Sequence, residues 1–581
     1  MKLATFLQDV PPARHPLWRG LGWAMVAGTL GFTARFLMTG NEGMPGRTVG
    51  GDVLFGEGTR GSVGTLTEQL GPNRMVLAYK TISGTEQDLT LDQVTGHLDE
   101  QAGRWRMVSP QAHRKLGIWT LRGPMDLQVM QPGDTTLLGR GRIEEDGPAI
   151  RWTGGEWEGL APLRWEALEG SSRGIWNLPT GWRREADGHL RVEHGPVRWQ
   201  APTDGSPATL QSMDADRLWA TPGFLTGHLE GVKAHLTEGS LQASVADLSP
   251  DMITWPGPLS FQRADGWQGD AQGGIAPRPA PGGSFQQVEL RNFRAHRTLA
   301  NGVEQLTTDG ARWTPAGLRL EGNVVWDQPE DGQKLTLKAP RVLMREAPGR
   351  DLPDTLAIGQ AVAEGQALLT WGRRSLSSPR ILVERSTRKW KLQSPVMGRG
   401  EDGTFIGGAG QGDPHAWTIE GPVQVNLFMG GTLRGARLIW EQALWTLTGR
   451  PATWNRLREQ LSGTRIVRSG GVIGFPEGLS GTLASPDGDL FVRADQGQSE
   501  GQRITLRGNV ECQGQGWRLA ADTLTISLGS DRSVTLVQAQ GAVLLRGRLG
   551  EGQGESLELE PGPQTVRWQG RVRGKGSGTG W

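Results

Sequence analysis

The residues that could do chemistry are few, and their spacing argues against a catalytic centre. Gly170 to Gly174 (GSSRG) matches the G-x-S-x-G pattern of a serine nucleophile. That nucleophile needs a strand before it and a helix after it. The residues that follow, Ile175 to Gly181 (IWNLPTG), are poor helix formers, so no acyl-transfer chemistry is expected. His189 and His194 are five positions apart. On one strand an odd separation points two side chains to opposite faces, so they are not expected to share a metal. Gly407 to Gly412 (GGAGQG) has the glycines of a phosphate loop, but no Lys-Ser/Thr pair and no helix follow, so it reads as a turn. Cys512 is the single cysteine, which rules out an intramolecular disulfide and a cysteine-based zinc site. Arg373, Arg374, Arg380, Arg385, Arg388, Lys389 and Lys391 form a basic stretch that reads first as a solvated face and second as a contact for lipid phosphates. No cofactor and no metal is expected.

The elements that would have to position such groups are strands. The chain of 581 residues carries 88 glycines and 24 tryptophans. An interior glycine costs a helix about 1 kcal/mol, so this glycine content favours short strands and tight turns. There is no Gly-X-Y period to suggest collagen. The net charge of +1 gives no general attraction to nucleic acid. Apolar residues alternate with polar ones through most of the sequence. Trp119, Leu121, Met125, Leu127 and Val129 share one strand face, with Gly123 in the same register. The same pattern places Trp417, Ile419, Val423 and Val425 together, then Ile504, Leu506, Val510 and Cys512. Leu318 to Trp326 and Ile253 to Phe261 repeat it, and looser copies surround Gly195, Gly365, Gly541 and Gly570. The template is apolar-x-apolar-x-Gly-[Pro/Asn]-apolar-x-apolar. Its central glycine suggests a bend or bulge. A unit that buries one face needs neighbours to complete its core, so one continuous β-stack is expected.

Outside this pattern the sequence suggests three other features. Gly20 to Ala34 is uncharged and flanked by Arg19 and Arg35. With Trp18 and Phe36 to Met38 added, it is long enough for a membrane helix over 17–39. Lys2, Arg14 and Arg19 precede it, while Glu42, Asp52 and Glu57 follow. The basic-side rule puts 1–16 in the cytoplasm and the rest outside. Ala24 with Gly28, and Ala27 with Gly31, would let that helix pack closely against another. A linker is expected at Gly273 to Gly283, and a short helix at Thr453 to Leu461.

The C-terminal third resembles the OstA-like family, the A component of the lipopolysaccharide transport (Lpt) bridge. The residues that carry this are Ala443 to Pro451 (ALWTLTGRP), Leu506 to Val510 (LRGNV), Trp517 to Ile526 (WRLAADTLTI) and Val537 to Val543 (VQAQGAV). The region after the anchor resembles the membrane-anchored C component, through Leu89 to Leu98, Ser109 to Ala112 and the Trp119 strand. The division read from these features is 40–272 C-like, 284–430 a middle β-rich region, 431–572 A-like, and 573–581 a flexible tail.

The resemblance implies an all-β, elongated open β-jellyroll, or taco, of short antiparallel strands after one N-terminal transmembrane helix. It implies carriage of lipopolysaccharide from an inner-membrane ABC transporter (permease and ATPase subunits) toward an outer-membrane translocon or further bridge subunits. The lipid-binding rows would include Trp119, Leu121, Met125, Leu127, Trp417, Ile419, Val423, Val425, Ile504, Leu506 and Val510. About 35 to 40 strands in two sheets would stack to on the order of 90 Å. The last strand, Thr565 to Val572, would offer Val566, Trp568 and Val572 as a docking edge. A phospholipid-transfer or scaffold protein of the AsmA kind is the alternative. A β-helix polysaccharide lyase would want clustered carboxylates and a stricter repeat. A single tyrosine argues against the aromatic girdles of an outer-membrane barrel.

Overall fold

Alternating sequences of this kind make strands with one apolar face, and that face must be covered. In the computed structural model the described residues run from 59 to 575 apart from short internal segments, the longest being 202–209 and 347–357. They form forty-four strands in one antiparallel sheet. Among them no helix occurs, and so none is long and apolar enough to cross a membrane. The expected span 17–39 and the segment 1–16 lie outside the described residues.

The sheet covers its apolar face by folding along a crease that runs through the middle of its longer strands. Each long strand contributes one half to an upper leaf and the other half to a lower leaf. The division is explicit where one long strand is followed by shorter ones. Leu137–Thr153 pairs through one half with Leu163–Ala167, on the upper leaf, and through the other with Glu156–Gly159, on the lower. Two separate ladders continue from there and rejoin on Gly227–Leu236. The same split and reunion recurs between Gly239–Leu248 and Val288–Leu299, between Arg374–Glu384 and Ala416–Leu427, and between Glu459–Ser469 and Arg503–Gly514. At the C-terminal end Gly550–Glu560 carries Arg573–Lys575 on the upper leaf and Thr565–Gln569 on the lower. Each leaf stacks about 33 rungs, on the order of 150 Å of sheet at about 4.8 Å per strand. That exceeds the expected length because long strands serve both leaves.

The crease has a recurring construction. Ladder registers shift there, as between Glu321 and Val324 and between Arg507 and Val510. Gly322 and Asn323 are both left-handed, with φ of 73° and 43°. The Asn323 amide donates to Asp309 at 2.8 Å, and a Cβ on Gly322 would lie 2.6 Å from the same carboxylate. Gly508, Asn509 and Asp495 repeat the arrangement, again with a 2.8 Å amide bond. Only glycine fits where the backbone is left-handed and crowded in this way. On the inner side, hydroxyls donate to carbonyls at the bend. Ser109 Oγ donates to Arg122 O (2.6 Å) and Gln111 O (2.8 Å). Ser378 Oγ does the same for Gln393 O (2.6 Å) and Arg380 O (2.8 Å). Thr308 Oγ1 bonds Glu321 O at 2.8 Å and Gly310 O at 3.0 Å.

Three sequence expectations are corrected. Thr453 to Leu461 is no helix. It is the end of Leu444–Arg456 and the start of Glu459–Ser469, joined by a tight turn with Leu457 at φ 48°. Ala452, Trp454 and Leu461 are buried on the strand period, so packing overrides helix propensity. The linker Gly273 to Gly283 begins as a strand, Gly273–Pro277, paired on both sides within the lower leaf; residues 279–284 lie outside the described set. Arg573–Lys575, expected in the flexible tail, is a strand, and residues 576–581 lie outside the described set. Strand pairing is continuous across both outer domain boundaries, while the buried side chains form two clusters that meet near residues 267–276.

The crease hydroxyls give a direct test. Ser378 is buried and shares its one proton between Gln393 O and Arg380 O, the latter also accepting from Gln393 N, so Ser378→Ala takes the hydroxyl donor from Gln393 O and should cost about 1 kcal/mol. A lowered urea midpoint is the expected result; an unchanged midpoint would remove the hydroxyl from the account of the crease.

Candidate functional site

The inner rows of the two leaves form the candidate site. All eleven residues expected to line it point inward and are buried: Trp119, Leu121, Met125 and Leu127 toward the N-terminal end, Trp417, Ile419, Val423 and Val425 further on, and Ile504, Leu506 and Val510 near the C-terminal end. Their strands are Ile118–Met130, Ala416–Leu427 and Arg503–Gly514. In each set the residues before the central glycine lie on the lower leaf and those after it on the upper. The structure places all of them on one surface but does not bring the three sets into one pocket. Trp119 to Leu127 belong to the first buried cluster; the other seven belong to the second.

Aromatic rings close the space between the leaves. Trp105 of the upper leaf meets Trp157 of the lower at 5.0 Å between centroids. Trp371 meets Trp390 at 5.2 Å, and Phe405 stacks on Trp417 at 5.0 Å, each across the same gap. The two inner rows are therefore in van der Waals contact at these strands. An acyl chain would take the place of leaf–leaf contacts there.

One carboxylate breaks the apolar row. Glu304, on Gly302–Thr314, is inward in register with Leu306 and Thr308, and its side chain is 1% exposed. It accepts from Trp326 Nε1 at 3.0 Å and from Arg297 at 2.8 Å, while that guanidinium lies over Trp267. Burial pushes its carboxyl above the ordinary glutamate range, opposed by the Trp326 bond, the Arg297 charge and a weaker Gln328 bond. Strand alternation would have put Glu304 inside, yet the sequence reading passed over it. The crease hydroxyls share the parity of buried neighbours and were passed over in the same way, while the buried Arg532–Glu459 pair was missed because its two turns are distant in sequence.

The other sequence candidates disperse. Residues 170–172 of the GSSRG pattern lie outside the described set, and a strand, Gly174–Leu178, follows them. His189 pairs with Asp187 at 2.9 Å and stacks on Trp219. Among the described residues no group of three His, Cys, Asp or Glu could hold a metal. Gly407 to Gly412 is where the chain passes from the upper strand Gly403–Gly407 to the lower strand Gly410–Gly412. Three members of the basic stretch face acidic partners, Arg374 with Glu401 at 3.2 Å, Arg380 with Glu364 at 3.7 Å and Lys391 with Glu384 at 3.8 Å, and Arg385 lies outside the described residues. Cys512 is buried on an inner row, and burial pushes its thiol up to about 12.

At the expected docking edge, Val566 and Trp568 lie on Thr565–Gln569 and pack against the core half-buried. That strand is shorter than expected. Val572 falls between the two terminal strands, outside the pairing. Among the described residues these two strands pair on one side only, as does Thr59–Leu70 at the other end of the sheet.

No known protein family and no curated protein matches the chain.

The Glu304 carboxyl yields a pH prediction. A carboxyl raised by burial supports the fold when protonated, below about pH 4. That support is lost as pH rises through its folded-state titration. Glu304→Gln should therefore flatten the pH dependence. Whatever it loses with the Arg297 pair, its stability relative to the parent should rise between pH 4 and pH 8. Parallel pH–stability curves for the two proteins would show that the Glu304 carboxyl titrates alike in the folded and unfolded chain.

Proposed function

We propose that the chain is a bridge for lipopolysaccharide, an open β-jellyroll held at the inner membrane by the helix expected over 17–39. The observation that carries this reading is the continuity of the inner face. Buried apolar side chains recur on strand after strand of both leaves from Met75 to Leu559. Burial of acyl carbon is worth about 0.8 kcal/mol per CH₂, so such a face is a low-energy path for acyl chains through water. Transport along it needs no catalytic group of its own. The energy would come from an inner-membrane ABC transporter, with an outer-membrane translocon or further bridge subunits receiving the lipid.

Photo-crosslinkers at Leu121, Ile419 and Leu506 test the path in cells, with Thr120, Thr418 and Thr505 as strand neighbours on the other face. The inner set should capture lipopolysaccharide, on chains that fractionate with the inner membrane; the outer set should not. Equal labelling of both sets would refute the path. Capture of glycerophospholipid alone would move the chain to the AsmA-like reading.

The C-terminal edge is the proposed docking site, since a partner strand can extend an unpaired ladder. Deleting 565–581 removes Val566, Trp568 and Val572 while leaving Gly550–Glu560 paired to Val534–Gly547. The truncated chain should still capture lipid at Leu121, yet lipopolysaccharide should fail to reach the cell surface. Normal surface delivery by a stable truncated chain would exclude this edge.

A further inference from the structure

The two leaves meet again along the margin opposite the crease, where the strand-to-strand turns lie. In the C-terminal third, charged contacts cross that margin. Arg532 sits in the turn between Trp517–Leu528 and Val534–Gly547, on the lower side. Glu459 opens Glu459–Ser469 on the upper side, opposite Leu483. Arg532 Nε donates to Glu459 Oε1, and another of its nitrogens donates to Gly501 O of the neighbouring lower turn. Both side chains are almost fully buried, at 5% and 0% exposure. Two more contacts cross beside them: Val534 N donates to Ala484 O at 2.8 Å, and Arg458 faces Asp531 at 3.5 Å. Further along, Arg468 of the lower leaf reaches Asp402 in an upper turn at 3.2 Å. The Arg374 guanidinium of the upper leaf lies 3.8 Å from the Trp440 ring of the lower.

We propose that Arg532 and Glu459 form a latch on this margin, and that acyl chains enter the C-terminal interior sideways when it parts. The proposal rests on the carrier reading above. A buried ion pair suits this place better than an apolar contact. Closed, it surrenders two hydration shells in return for the bonds to Glu459 and Gly501. Opened, both groups recover water, so parting the leaves costs less than exposing two apolar side chains of similar size. The left-handed backbone of Arg532, φ 67°, presents its guanidinium to both turns at once. The interior behind the latch holds Leu506, Leu524 and Val537, all fully buried while it is shut.

The test closes the margin covalently in the full chain. Arg458→Cys and Asp531→Cys place two exposed thiols across it, to be joined by a reducible bis-maleimide. Buried Cys512 does not compete for the reagent. A photo-crosslinker at Leu506 reports entry from lipopolysaccharide micelles, and one at Leu121 reports the distant interior. Joining should lower capture at Leu506 at least ten-fold and leave Leu121 unchanged, and reduction should restore it. Glu459→Gln should raise the rate of capture at Leu506 several-fold. Equal capture at Leu506 in the joined and reduced states overturns the latch, as threading from one end would. Capture at Leu121 without any at Leu506 after reduction overturns the latch alone; capture at neither position overturns the latch and the carrier reading together.

Discussion

A sheet with one apolar face and, among the described residues, no helix to cover it can cover that face with itself. Folding along a crease brings the inner halves of each long strand together and buries both. Each large inner side chain so covered stabilises by about 1.5–3 kcal/mol. That gain depends on bending strand after strand at the same place without stranding polar backbone inside. The Gly-Asn bulges over Asp309 and Asp495 make the turn on the outer side. Ser109, Thr308 and Ser378 supply donors on the inner side. An unsatisfied buried carbonyl costs about 1–3 kcal/mol, comparable to the gain from one buried side chain, so the donors decide whether each bend is favourable.

The alternation and the all-β class were legible in the sequence because a period of two survives the crease on the glycine strands. Ile504, Leu506, Val510 and Cys512 keep one parity through Gly508, so all four were placed on one face. The partner strand behaves differently. Leu519 and Ala521 are inward, and so are Leu524 and Ile526, because the bulge against Arg507 and Val510 slips the register by one. Read alone, such a strand loses its period halfway. Asp522 stands at that slip, beside Gly541 of the next strand. The short phrases "ADTL" and "QGAV", which carry part of the Lpt resemblance, are the two sides of one crease.

What stayed hidden in the sequence was whatever depends on distant turns meeting. Arg532 and Glu459 are 73 residues apart and come together only because their turns lie on facing margins. No local spacing encodes that. The false helix at Thr453 to Leu461 has a related cause. Its residues are acceptable helix formers, and only the pairing of Trp454 with Leu461 and Leu433 shows that they are strands. Glu304 was legible in principle, since its parity with Leu306 makes it inward. Reading apolar rows alone hides the charged residue that shares the row.

Stacked architectures gain stability chiefly from nearest neighbours, so one stretch can open while the rest holds. That property separates the crease from the margin. Opening the crease would break ladder bonds in every strand concerned. Opening the margin breaks a few contacts per rung and leaves both ladders intact. An acyl chain of about a dozen methylenes gains about 10 kcal/mol on leaving water. Removing one partner of a buried ion pair costs about 3–5 kcal/mol, and parting the pair into water costs less, because both groups are rehydrated. The entering chain also replaces some of the leaf–leaf contact it displaces. On the proposed carrier reading, the balance would favour local parting at the margin when an amphiphile is present and closure when it is absent. A sheet folded on itself can in this way be a packed core and a path at different times.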